Sequence, residues 1–421
     1  MPDRRFNVLI VGAGPAGIAA ACAASECGCR VGVLDDNAAP GGQIWRSSAG
    51  GPVSKQAARW LDRFQGAAVE LLPETQVIDG PARGLLQAES AQASFELGYE
   101  KLILATGARE RFLPFPGWTL PNVIGAGGLQ ALVKGGLPIE DMRVVVAGTG
   151  PLLLAVAAYL RKRGAVISLI AEQAPWTRLA RFGLALGPAK LAQAAELKWT
   201  LRGIPYLTGC WPVAAEGDGK VESVVLRRGK KSWRQPCEYL ACGFGLVPNL
   251  ELALLLGCAV ENRFVAVNQW QLTSLADVYC AGEPTGVGGV DLALIEGEIA
   301  GYAAAGKPER ARERFAARRH ARRFQEQLGR AFQLRDELRG AVTPDTIVCR
   351  CEDVPWRRIA EHHGWKSVKL QTRCGMGPCQ GRVCGPAIEF LLGWTPESAR
   401  PPVFPARVES LSGGERSRSA R

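Results

Sequence analysis

Phe6-Asn7-Val8-Leu9-Ile10-Val11-Gly12-Ala13-Gly14-Pro15-Ala16-Gly17 is the stretch on which the fold of this chain turns. The apolar run Phe6 to Val11 reads as a buried strand, Gly12 opens a turn at once, and the alanine-rich segment from Ile18 to Ala24 continues as a helix. A second strand from Arg30 ends on Asp35-Asp36. Strand, G-x-G-x-x-G turn, helix and acid together make the βαβ dinucleotide fingerprint. The glycines give the tight turn and a close backbone approach to pyrophosphate, the helix N-terminus faces the phosphates, and the carboxylate serves the ribose hydroxyls. The same turn alone would be weak, because glycine turns also serve structure only.

Working outward, Pro40-Gly41-Gly42-Gln43-Ile44-Trp45 places a glycine pair just past the acids, where an extended dinucleotide would pass under the backbone. Lys101 to Leu104 is a short apolar strand that ends in Ala105-Thr106-Gly107. Another strand ends in Ala281-Gly282-Glu283 and is followed by Gly286, Gly288, Gly289 and a helix from Asp291 to Ala305. These segments resemble flavoproteins of the glutathione-reductase type, in which a Gly-Asp motif holds the ribityl chain. The resemblance implies FAD at Gly12, Gly14, Pro15, Ala16, Gly17, Asp35, Asp36, Gly41, Gly42, Gln43, Ala105, Thr106, Gly107, Gly282 and Glu283. Glu283 stands where that family has Asp, which keeps an acceptor on a longer arm.

Between these halves, Arg143 to Ala147 and Gly148-Thr149-Gly150-Pro151-Leu152-Leu153 form a second strand–turn–helix, similar to the pyridine-nucleotide domain of the same flavoproteins. Leu153 occupies the place of the third glycine, which predicts a wider loop and puts NAD(P) in doubt. Glu172 is the candidate ribose acceptor there. The occupant stays open between NAD(P), ATP and none.

The C-terminal part carries five of the thirteen cysteines, as Cys349-Arg350-Cys351 and then Cys374, Cys379 and Cys384 among Gly375, Gly377 and Gly381. Structural zinc sites repeat C-x2-C knuckles, whereas C-x-C followed by four-residue gaps favours an iron–sulfur centre, with glycines letting N–H groups approach sulfur. The other reading is an array of small buried hydrophobes. Elsewhere, Cys27 with Cys29 and Cys237 with Cys242 are expected to pack in cores, and no C-x2-C or C-x4-C redox pair lies near the flavin-type motifs. The histidines, His320, His362 and His363, lie outside the nucleotide motifs, and Glu296 and Glu298 read as helix-surface carboxylates. No catalytic acid–base set is assigned.

The net charge of +11 gathers in an arginine-rich helix from Arg310 to Arg339 and in the tail. That helix reads as a solvated connector, with an acidic partner or membrane surface as the alternative. No groove-reading motif accompanies the charge, so nucleic acid is excluded as a partner. Glycines and a proline interrupt the longest apolar stretch, Val144 to Leu160, so no transmembrane segment is expected. An odd cysteine count and an N-terminus without an apolar leader predict a reducing, cytoplasmic setting, with peripheral association at the inner membrane face allowed.

The motifs named above, together with Arg109-Glu110-Arg111 and Pro114-Phe115-Pro116-Gly117-Trp118, resemble one family over residues ~5 to ~395. It is the alpha-type or A-type subunit of opine oxidases, hydrogen cyanide synthase, and D-hydroxyproline or proline dehydrogenases. The resemblance implies an α/β flavoprotein with two dinucleotide-binding, Rossmann-like domains and a small C-terminal helical domain like that of bacterioferritin-associated ferredoxin (BFD-like). It implies FAD, a [2Fe–2S] cluster on Cys349, Cys351, Cys379 and Cys384, and room for an FMN at a subunit interface. The rival ligand set takes Cys374 and Cys379 and leaves Cys384 free. The implied partners are a D-amino-acid-oxidase-like flavoprotein beta subunit, optionally a small ferredoxin-like subunit, and a respiratory electron acceptor. Expected domains are 1–118 with 266–306 for FAD, 119–265 for the second nucleotide domain, 307–343 as arginine-rich linker, 344–395 for the cluster and 396–421 as a flexible tail. Two other functions stay open, a free-standing NAD(P)H-dependent reductase and a non-enzymatic cluster-bearing adaptor.

Overall fold

A computed structural model describes residues 4–45, 54–396 and 398–411. They divide into two compact units, one of residues 1–109, 248–325 and 397–421, the other of 110–247 and 326–396.

In the first unit the strands Val69–Leu72, Val31–Leu34, Arg4–Val11 and Ser94–Leu104 lie side by side and parallel. Leu85–Glu89 and Gln76–Ala82 extend the sheet antiparallel, and Val278–Cys280 adds to Ser94–Leu104 in parallel. Val8, Leu9 and Ile10 are all fully buried, as expected of a parallel strand covered on both faces. The helix Pro15–Ser25 starts with proline at its first turn and buries nine residues, nearly all small. Small residues are needed because the helix Val290–Ala304 lies directly against it. A side chain at Gly297 or Gly301 would fall 2.2 or 2.4 Å from the carbonyl oxygens of Ala16 and Ala20.

In the second unit Tyr206–Thr208, Val166–Glu172, Arg143–Thr149, Tyr239–Phe244 and Val123–Gly125 form a five-stranded parallel sheet. An antiparallel meander of Cys210–Glu216, Ser223–Arg228 and Lys231–Pro236 lies beside it in sequence. The cysteine-bearing part is a short ladder, Ile347–Cys349 with Val354–Pro355, followed by the helices Trp356–Ala360, Trp365–Thr372 and Cys384–Leu392.

The division differs from the expected domains: the expected linker 307–343 is split after residue 325, and four further differences each have a packing reason. Residues 248–265 belong to the first unit, because Leu252 and Ala253 share its core with Leu97 and Leu104. Residues 110–118 belong to the second, where Phe115 and Trp118 are buried and Pro116 O accepts from Ala215 N. The cysteine part is not a separate body: Phe390 and Leu391 share a core with Phe115, and Trp118 Nε1 donates to Ile347 O at 2.6 Å. The tail is anchored as far as it is described. Val403 is buried with its N–H on Ile78 O, and Arg407 donates to the carbonyls of Ala91 and Ser90. Residues 412–421 lie outside the described residues.

Candidate flavin and cysteine sites

The flavin-type motifs converge at the carboxyl ends of the parallel strands of the first unit. Gly12 takes a left-handed φ of 106°, and a side chain there would lie 2.3 Å from Ala105 O. One at Gly17 would strike Gly12 O, so strand, turn and helix are in backbone contact. Gly41 N donates to Ala13 O, Gly42 abuts Gly14, and Gly282 abuts Ala16. The space a side chain at Gly14 would take is open, as a backbone cradle for a ligand requires. Pro15 starts the helix, Gln43 is exposed, and Asp36 faces solvent.

Asp35 is buried. It accepts from Ala13 N at 2.5 Å and Asn37 N at 2.9 Å, and so ties the glycine turn to the end of its strand. The Ala105-Thr106-Gly107 turn is held by a residue the motif reading passed over, Asn249. Thr106 Oγ1 donates to Asn249 O and Asn249 Nδ2 donates back to Thr106 O, both at 2.8 Å, while Asn249 N donates to Gly107 O. Arg109 then bonds Asn249 Oδ1 and pairs with Glu251.

Glu283 accepts from Gly289 N through Oε1, while its buried Oε2 has no partner. Burial pushes its carboxyl up to about 7. An orphaned acceptor next to an open glycine cradle is what a polyhydroxyl chain such as ribityl would satisfy, so these residues fit FAD.

Glu296 and Glu298 are not surface carboxylates. Glu296 is fully buried. It accepts from Gly282 N at 3.2 Å and Thr285 Oγ1 at 2.7 Å, and pairs with Arg322 at 3.0 Å. Glu298 pairs with Arg63 and Arg314. The arginine-rich helix is therefore no solvated connector over its first half. Arg318 is buried on Gln269 O and Gln271 Oε1, and Arg314, Arg318 and Arg322, spaced four apart, form one docked stripe.

In the second nucleotide-type loop, Leu153 is buried. A side chain at Gly148 would strike Gly243 O on the neighbouring strand, so the first glycine of the loop is in backbone contact with that strand. Glu172 points inward. Its oxygens accept from Thr149 Oγ1, Ala174 N and Gly150 N at 2.7 to 2.8 Å, and burial raises its carboxyl to about 7. Gln173 Nε2 donates to Thr149 Oγ1 and Gln333 O, so residues of the 333–335 segment lie over this loop.

In the cysteine part, the sulfurs of Cys349, Cys374 and Cys384 lie within 4.8 Å of one another, all buried. The Cys374 and Cys384 thiols donate to Cys349 and hold it far below the usual thiol range. Cys351, exposed, and Cys379, half-buried, make a second sulfur contact. Cys374, which the resemblance left aside, is thus in the cluster. Backbone N–H groups of Gly375 and Glu352 point at Cys349, and a side chain at Gly377 would sit 2.3 Å from Cys351 Cβ. Three buried thiols held together, with a second thiol pair and glycine amides in the same segment, are compatible with an iron–sulfur centre.

The sequence profile of the pyridine nucleotide-disulphide oxidoreductase family matches residues 6–311. The chain is 33% identical to the HcnB subunit of hydrogen cyanide synthase from Pseudomonas aeruginosa, over 89% of this chain and 90% of that protein. It is 31% identical to the A-type subunit of opine oxidase from Rhizobium meliloti, over 97% and 98%. Among solved structures, L-proline dehydrogenase from P. horikoshii superposes with a TM-score of 0.67 over 97% of this chain and 80% of that one, at 18% identity. Thioredoxin reductase of T. acidophilum gives 0.57 at 22% identity, over 72% of this chain and 99% of that one. At those identities the two structures speak for the fold alone.

Proposed function

The chain belongs to the pyridine nucleotide-disulphide oxidoreductase family, and from that membership we infer that it is the electron-relaying subunit of a heteromeric amino-acid or opine dehydrogenase. It is an FAD-dependent oxidoreductase of the same group as the A-type subunits of opine oxidase and the HcnB subunit of hydrogen cyanide synthase. The C–N bond is oxidised in a D-amino-acid-oxidase-like partner, and electrons leave through this chain to a respiratory acceptor at the inner membrane face.

The observation that carries this reading is the gathering of five cysteines in a chain whose first unit offers no redox pair beside its glycine cradle. Cys22 and Cys280 are buried in that unit, and burial pushes both thiols up, which makes them poor nucleophiles. A flavin exchanges two electrons and a [2Fe–2S] centre one at a time, a pairing suited to relay. This chain's residues would hold the groups. The backbone from Gly12 to Gly17 faces the pyrophosphate, Asp35 fixes that turn, Glu283 accepts from the ribityl chain, and Asn249 braces the Ala105-Thr106-Gly107 turn. Cys349, Cys351, Cys379 and Cys384 are the proposed cluster ligands, and Cys374 is the competitor for one of those places.

The test is division of labour. The chain purified alone should bind flavin and iron yet fail to oxidise amino acids or opines, and co-expression with a D-amino-acid-oxidase-like subunit from the same source should restore oxidation. Oxidation by the isolated chain at the rate of the complex would refute the proposal.

A further inference from the structure

Amphipathic helices of globular proteins turn their apolar stripe inward. Two consecutive helices of the second unit, Trp176–Leu184 and Pro188–Thr200, do the opposite. In the first, Trp176, Ala180 and Leu184 stand four apart on one face, and all three are exposed, with Trp176 at 68% and Leu184 at 89%. In the second, Pro188, Leu191, Ala192, Ala195 and Trp199 follow helical spacing along one face, and all are exposed, with Leu191 at 47% and Trp199 at 74%. The first helix buries none of its residues.

What anchors the pair lies on the opposite faces. Arg178 donates to Gln333 O, Phe182 meets the Phe332 ring at 5.3 Å, and Leu197 packs beside the core that holds Leu201. Arg161 donates to the carbonyls of Thr200 and Arg202. Both helices are therefore held in place, and their exposed apolar faces have nothing over them among the described residues.

We propose that these two helices dock on an anionic lipid surface. The inference rests on the membrane-side placement proposed above and names the surface that provides it. Three observations select lipid over protein. Each exposed face is apolar and carries a tryptophan, Trp176 on the first helix and Trp199 on the second, the composition of elements that lie in a bilayer interface. The charged side chains flanking these exposed faces are mostly cationic: Arg181, Lys198 and Arg202 against one acid, Glu196. That charge complements acidic headgroups and opposes pairing with a second copy of the same face. Leu184, at the end of its helix, is the most exposed large hydrophobe among the described residues, a protruding shape that a fluid medium accommodates and a preformed protein pocket need not.

The experiment uses the full-length, flavin-loaded chain without substrate or acceptor, so that its outcome is independent of electron relay. Co-sedimentation is measured with vesicles of phosphatidylglycerol and phosphatidylethanolamine, and with phosphatidylcholine alone. Binding is expected to the anionic vesicles, falling as salt is raised. Leu184→Gln with Trp199→Ser should weaken it by at least about tenfold, and Leu132→Gln, on another exposed helix, should leave it unchanged. Both positions are solvent-facing, so flavin content and melting temperature serve as folding controls. On the unaltered protein, brominated lipid should quench part of the tryptophan emission. No binding and no quenching, or binding that the double substitution leaves intact, would overturn the proposal. A wild-type dimer that the double substitution dissociates, without vesicle binding, would assign these faces to a second copy and overturn it equally.

Discussion

Glu283 carries a buried oxygen without a partner at the turn where the flavin-type motifs meet, and its carboxyl sits near 7 because burial disfavours the charge. A hydroxyl donated by the cofactor favours the carboxylate, so binding should draw a proton off this group. FAD affinity is therefore expected to rise with pH through about 7 and then level off. Glu283→Gln should flatten that profile while retaining flavin, and Glu283→Leu should lose flavin; fluorescence titration of the apoprotein between pH 6 and 8 measures both. A pH-independent affinity in the unaltered chain would contradict the role. Motif spacing was enough to place Glu283 and the glycines at one group of turns, because those turns are local. It could not find Asn249, which braces a turn more than a hundred residues earlier in the chain, and it left the place of Cys374 open, because that place depends on the left-handed turns at Arg373 and Gly375. Glu172 was found by its position at a strand end, but position does not tell which way a carboxylate turns, and it turned to its own loop.

Among the elements, the arginine-rich helix departs furthest from its sequence reading. Its composition suggested a solvated rod, yet the stripe of Arg314, Arg318 and Arg322 is docked while Arg319 and Arg323 face water. Composition counts charges without saying which meet buried acids, and the acids concerned, Glu296 and Glu298, sit on a different helix. Replacing Arg322 by Met leaves Glu296 buried and uncompensated, which should cost about 3 kcal/mol and weaken flavin retention through Gly282 and Thr285. Arg323→Ala should cost less than about 0.5 kcal/mol. Urea denaturation of the two variants, followed by flavin fluorescence, compares them; equal midpoints would show that the docked pair does not matter.

For the molecule as a whole, the parallel sheets and the cysteine-bearing end were legible because the motifs fix strand, turn and helix in order, whereas the borders between units were not. Borders follow shared cores, and aromatic residues such as Phe115, Trp118 and Phe390 give no sign in sequence of which core they join. In the function proposed above, one chain carries both a flavin and an iron–sulfur centre that exchange electrons. Replacing Cys349, which is common to both ligand assignments, by serine should remove the visible absorption of the centre while flavin remains. The most direct measurement is stepwise photoreduction of the flavin in the anaerobically purified chain, with low-temperature electron paramagnetic resonance recorded at each step. Electrons entering at the flavin should appear as the rhombic signal of a reduced [2Fe–2S] centre, absent in Cys349→Ser. A flavin that bleaches fully while no iron signal develops would contradict it.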